Sequence, residues 1–175
     1  MAASALSACA ATQGIPAAPQ DPAAPPIEPA VSHPFAKPPP NNPPPEPGER
    51  TRIHDAEMAR RLAANTGITL QWIGWNERGR VEVGQTSDGV YRLFGRQSDD
   101  DGSGFVEVDG VVTEIGPDYF LLDGTVTIRD APDAGRFCQA DKLWRFGITQ
   151  GRKYWRLREF EWCDGLTDYI DIYMP

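Results

Sequence analysis

The chain has 175 residues, a net charge of −8 and only two histidines. The acidic balance has the wrong sign for a general nucleic-acid binder, and no uninterrupted apolar run approaches the roughly 18 residues that would cross a bilayer. Of the 17 prolines, 14 lie between Ala10 and Gly48, which divides the chain into a proline-rich N-terminal part and a C-terminal part of ordinary globular composition.

In chain order the first feature is the tetrad Leu6-Ser7-Ala8-Cys9. It resembles the bacterial lipobox, in which a small residue precedes a cysteine that receives diacylglycerol once a signal peptide is removed. The resemblance implies that residues 1–9 are the remnant of a lipoprotein signal, that Cys9 is lipidated, and that the lipid is the membrane anchor. It places the rest of the chain in the bacterial cell envelope, facing the periplasm. Ala10 is not the aspartate that in lipoproteins often specifies the inner membrane, so outer-membrane anchoring is expected. Met1 to Ala5 lack a leader's basic and apolar stretches, so the resemblance also implies a start upstream. The competing reading is an alanine-rich start with an incidental cysteine.

Residues 10–48 carry few charges and one aromatic, Phe35. Such a composition buries too little apolar surface to offset its ordering entropy, so a disordered tether is expected. Proline-rich linkers favour polyproline II at about 3.1 Å per residue, which gives a fully extended reach on the order of 100 Å. A ligand for an SH3-like groove is the competing use.

Residues 49–175 suffice for one modest core. The segment from His54 to Asn65 predicts a helix: Asp55 and Glu57 suit its first turn, and Met58 and Leu62 share a face. Asn65-Thr66-Gly67 is the expected stop, with Gly67 as a left-handed cap. Strands are then expected over 68–75, 80–85, 90–96, 105–108, 111–115, 119–122, 125–128, 143–148, 153–160 and 167–174. The pairs Asp109-Gly110 and Asp123-Gly124 suit type I′ hairpin turns. Phe120, Leu122, Val126 and Ile128 should face inward together, as should Trp144 with Phe146, Trp155 with Leu157, and Ile170 with Ile172 and Met174. The fold class is thus mainly β, a small antiparallel barrel or sandwich with one N-terminal helix. Residues 108–128 resemble the middle strands of small bacterial OB-fold domains, which favours a barrel.

With Cys9 taken by lipid, Cys138 and Cys163 remain, an even number in an oxidising compartment. A disulfide between them would stabilise by roughly 3.5 kcal/mol on the chain-entropy account; two buried thiols are the alternative. Zinc needs four ligands, and His33 and His54 are far from these cysteines in sequence, so no metal and no cofactor is expected. The acidic loop 98–104 fits no EF-hand frame, and Asp99 and Asp101 are its weak calcium candidates. No histidine stands beside a serine nucleophile, and no phosphate-cradling glycine pattern is present. No catalytic residue is assigned.

The segment from Trp144 to Trp162 interleaves aromatic residues with arginines and lysine. Alternation along strands places aromatics inside and cations outside. Trp72, Trp75, Arg145, Arg152, Tyr154, Arg156, Arg158 and Trp162 are therefore the candidate binding surface, with arginine–aromatic packing as the purely structural explanation. Exposed tryptophans would stack on sugar rings. The leading expectation is a non-enzymatic envelope lipoprotein whose β-domain binds an envelope protein or glycan. The alternatives are a periplasmic small-ligand or inhibitor-type barrel with a tryptophan-lined interior, and a hydrolase with paired carboxylates drawn from residues such as Glu82, Glu107, Glu114, Glu159 or Glu161.

Overall fold

A computed structural model describes residues 50–175; Cys9 and the proline-rich segment lie outside the described residues. Strand β1 (Arg52–Ile53) leads into helix α1 (Ala56–Ala63). Eight strands follow: β2 (Ile68–Leu70), β3 (Arg80–Gln85), β4 (Tyr91–Ser98), β5 (Phe105–Ile115), β6 (Tyr119–Arg129), β7 (Phe137–Gly147), β8 (Tyr154–Leu157) and β9 (Ile170–Tyr173). The domain is mainly β, one antiparallel sheet curled into a nearly closed barrel, as expected.

The sheet runs β2-β9-β8-β7-β6-β5-β4-β3. Its ends meet where Ile68 and Gly79 exchange N–H···O bonds of 3.1 and 2.8 Å. Only glycine fits this seam, since a Cβ on residue 79 would lie 2.1 Å from the Arg96 carbonyl oxygen. Strand β1 is off this path and pairs in parallel with the end of β5, Arg52 opposite Glu114. It takes over where β4 stops at Val112 and β5 bulges between Val112 and Glu114. Thr51 closes the gap: its hydroxyl donates to the Val112 carbonyl at 2.6 Å and accepts from the Tyr91 N–H at 2.8 Å.

Helix α1 forms for the reasons its sequence gives. Asp55 is the N-cap, its Oδ1 accepting from the N–H groups of Glu57 and Met58 at 2.9 and 3.0 Å. Met58 and Leu62 are buried against the sheet. The stop differs from expectation, because the helix is capped at Ala64. Gly67 does take a positive φ of 113°, but at the start of β2, where a Cβ would lie 2.3 Å from the Gly79 carbonyl oxygen. It serves the seam instead of the helix end.

Two expected hairpin turns are absent. Asp109-Gly110 lies inside β5 and Asp123-Gly124 inside β6, each strand running unbroken for 11 residues. Gly110 and Gly124 stand opposite each other across the pair. A Cβ on Gly110 would come within 2.4 Å of the Asp123 carbonyl oxygen, and one on Gly124 within 2.2 Å of the Asp109 carbonyl oxygen. These glycines permit a close approach of two backbones where a turn was expected. Strand β2 is also shorter than the expected run to Trp75. The N–H groups of Ile73 and Gly74 both donate to the Leu70 carbonyl and turn the chain away.

The inward faces match the alternation. Phe120, Leu122, Val126, Ile128, Trp144, Phe146, Trp155, Leu157, Ile170 and Ile172 are buried in one cluster with Met58 and Leu62. Phe120 stacks on Phe146 at 4.8 Å and meets Trp155 edge-on at 5.8 Å. Cys138 and Cys163 form the disulfide.

Candidate functional site

Leu70 and Gly79 bound a loop that leaves the barrel at its seam and carries Trp72 and Trp75, 39% and 44% exposed, whereas Trp144 and Trp155 are fully buried. The buried Gln97 of β4 holds this loop. Its Oε1 accepts from the Leu70 N–H at 2.6 Å, and its Nε2 donates to the carbonyls of Gly74 and Glu77 at 3.0 and 2.6 Å. Between the loop and the end of β4 opens a cavity of about 310 Å³, lined by Trp75, Asn76, Glu77, Ser98, Asp99 and Asp100 among others. An aromatic face beside carboxylates and a hydroxyl suits a ligand with apolar ring faces and hydroxyl edges.

Asp99 contributes to the cavity with one oxygen committed. Its Oδ2 accepts from the Gly104 N–H at 2.8 Å, while its Oδ1 is buried with no hydrogen-bond partner. Asp101 accepts from the Ser103 N–H at 2.8 Å, and hydrogen bonds from Ser103 hold its carboxyl below the usual carboxylate range. The two calcium candidates thus spend oxygens on closing their own loop. Among the described residues, the grouping with metal-like spacing is Cys138, Cys163 and Asp164, whose two sulfurs are bonded to each other.

Trp72 is oriented by a relay of charges. Its indole N–H donates to Asp168 Oδ1 at 2.9 Å. Asp168 is fully buried and also accepts from Arg136 at 3.0 and 2.9 Å. Arg136 reaches on to Asp164 with bonds of 2.7 and 2.8 Å, and Asp164 follows Cys163 in the chain. The Arg136 hydrogen bonds hold the Asp164 carboxyl at about 2.

On the outer face of β7, β8 and β9 the residues between the buried ones form a second surface. Arg156 makes a two-pronged pair with the buried Asp171, both bonds 2.7 Å. Its guanidinium lies 4.0 Å over Tyr169, 5.2 Å from the Tyr154 ring and 5.8 Å from the Trp75 ring. Burial pulls Arg156 down, but Asp171 outweighs it and the net shift is upward. Arg152 donates to the Tyr154 hydroxyl at 2.7 Å. Further along, Arg145 stacks 4.0 Å over Tyr119, and Arg158 lies 5.6 Å from the Phe160 ring. Burial, then the charges of Arg156 and Arg145, lower Arg158.

Beyond Tyr119 lies a buried carboxylate. Glu114 accepts from the Tyr119 hydroxyl and pairs with Arg52 at 3.2 Å and His54 at 3.4 Å. Burial, then the hydrogen bond to Glu114, raises Tyr119 to about 12.

Most of the expected surface is brought together. Trp75, Arg156, Tyr154 and Arg152 form one contact series, and Arg145 and Arg158 adjoin it. Trp72 lies on the same loop as Trp75 but turns toward Asp168. Trp162 stands apart, packed edge-on against Trp144 at 5.3 Å with its indole nitrogen buried. Sequence reasoning missed Glu77, Asp99 and Asp100 as cavity walls, Gln97 as the loop's clamp, and Tyr169 as a platform for Arg156. Tyr169 was legible from the alternation of 169–174; Gln97 carried no signal, because its three partners are backbone groups.

The PM1083 family matches residues 50–174. The chain is similar to "Uncharacterized protein PM1083" of Pasteurella multocida (strain Pm70), 32% identical over 120 residues that cover 67% of this chain and 76% of that protein. No solved structure matches. The chain, through the whole of its β-domain, belongs to the PM1083 family.

Proposed function

We propose that this protein is a glycan-binding lipoprotein of the bacterial cell envelope, held to the membrane through Cys9 and reaching its ligand across the proline-rich segment. The observation that carries the glycan reading is Trp75: a ring 44% exposed at the mouth of a cavity whose other walls include Glu77, Ser98, Asp99 and Asp100. A sugar ring stacks its C–H face on the indole, and its hydroxyls donate to the carboxylates.

The enclosed-ligand alternative is less favoured, because Trp144, Trp155, Phe120 and Phe146 pack on one another or on neighbours inside the barrel. Carboxylates in the same cavity keep hydrolysis as an outcome to be checked. The test is a fluorescence titration of the full chain with neutral and acidic hexasaccharides, with products followed by chromatography. Binding of at least one sugar is expected, abolished by Trp75→Ala while the melting curve stays put. Absence of binding to every sugar, or binding indifferent to Trp75→Ala, rejects the reading; appearance of shorter sugars replaces it with a hydrolase. The anchor is tested by labelling cells with radioactive palmitate, where incorporation should vanish in Cys9→Ser.

A further inference from the structure

The outer face of the barrel contains an arrangement that costs stability as it stands. Arg145 on β7 and Arg158, just past β8, are cross-strand neighbours: the Arg158 N–H donates to the Arg145 carbonyl at 2.9 Å. Their inward neighbours Phe146 and Leu157 are paired and buried, so both arginine side chains share the outer face. Like charges directly opposite each other across a sheet are destabilising. Arg156 adds a third cation on the same face, and it alone of the three has a carboxylate, Asp171.

Among the described residues neither Arg145 nor Arg158 has an ion-pair partner. Glu159, next to Arg158 in the chain, pairs with Lys142, and Glu114, behind Tyr119, is already engaged by Tyr119, Arg52 and His54. Both are held in place. Arg145 lies against Tyr119, and the stem of Arg158 crosses Gly147, where a Cβ would sit 3.1 Å from Arg158 Cδ. Half-burial without a counter-charge, with the stems packed, is the condition in which guanidinium groups take an external oxyanion.

The site is joined to the cavity. From Trp75 the contacts run to Arg156, to Tyr169, to Phe160 at 5.5 Å, and to Arg158. We infer that Arg145 and Arg158 form an anion subsite, so that the glycan of the proposed function is an acidic one, its carboxylate or phosphate groups lying on this pair while a neighbouring ring stacks on Trp75. This rests on the glycan reading and adds the substrate class to it.

The test uses the full chain with three sugar probes, hexagalacturonate, the same hexasaccharide fully methyl-esterified, and a phosphorylated mannan pentasaccharide, and with phosphatidylglycerol vesicles. An acidic probe should bind roughly tenfold or more tighter than the ester, and Arg145→Gln/Arg158→Gln should erase that advantage. Preference for the carboxylated or the phosphorylated probe identifies the group. Equal binding of the acid and its ester, or an advantage that survives the double variant, overturns the anion subsite while leaving the glycan reading intact. Loss of all three probes with Trp75→Ala but retention with the arginine variant locates failure in the subsite alone. Binding only to phosphatidylglycerol vesicles, lost in the arginine variant, overturns the glycan assignment in favour of a lipid surface. Should the double variant unfold, the parent's salt dependence decides: affinity for the acid must fall with added NaCl and affinity for the ester must not.

Discussion

Arg136 binds two carboxylates from a distant part of the chain, and one of them, Asp168, is fully buried. Taking the guanidinium away strands that charge. Arg136→Met is therefore expected to cost about 3–5 kcal/mol in urea unfolding, far beyond an ordinary surface change. It should also release the Trp72 indole, seen as a changed fluorescence maximum. The pH dependence has a definite sign. Asp164, held at about 2, contributes stability that is fully present above the unfolded value of about 4 and is lost as pH falls through about 2. Asp164→Asn should flatten the urea midpoint across that window. Tyr119 acts at the opposite end: raised to about 12, it contributes stability present below pH about 10 and lost as pH climbs toward 12. Tyr119→Phe should remove the alkaline slope. None of these residues was legible as a site. Strands β7 and β8 lie between Arg136 and the pair Asp164 and Asp168, and a sequence pattern records periodicity, which says nothing of which acid a given arginine meets. The arginines at 145, 156 and 158 were legible, because they alternate with aromatics that had to go inside.

At the level of elements, the two Asp-Gly pairs are instructive. Each has the composition of a tight turn, and each is a strand interior. The local signal specifies that glycine is needed, and the reason for the need, positive φ or backbone crowding, is settled by the partner strand. Gly110→Ala should cost about 1–3 kcal/mol, since its Cβ would meet the Asp123 carbonyl oxygen at 2.4 Å and β5 and β6 would have to part. Amide hydrogen exchange should localise the damage to the centre of that pair. Where turns do occur, at Ser87-Asp88-Gly89 and at Thr149 to Arg152, no opposing glycine competes for the explanation. Gly89 has a φ of 86°, and Gln150 and Gly151 have φ of 58° and 66°. The first half of β7, Phe137 to Lys142, went unread because its inside or half-inside positions are Cys138, Ala140 and Lys142, a weak apolar signal.

For the whole molecule, fold class was readable because inward and outward residues alternate over many strands. Strand order was not, since β1 and the β2–β9 pairing join segments more than 60 and 95 residues apart. The disulfide spans 25 residues between β7 and the loop before β9. Replacing both cysteines by alanine should lower stability by roughly 3.5 kcal/mol on the chain-entropy account, measured by urea unfolding against untreated parent.

The bridge between Ile68 and Gly79 has one more effect. It cinches the neck of the segment that bears Trp72 and Trp75, while Gln97 and the Trp72–Asp168 bond moor the rest of that segment to the staves of the barrel. Residue exchanges that spare these moorings would cost the scaffold little, and homologues with different tastes in ligand should diverge first at Trp75 and Asn76.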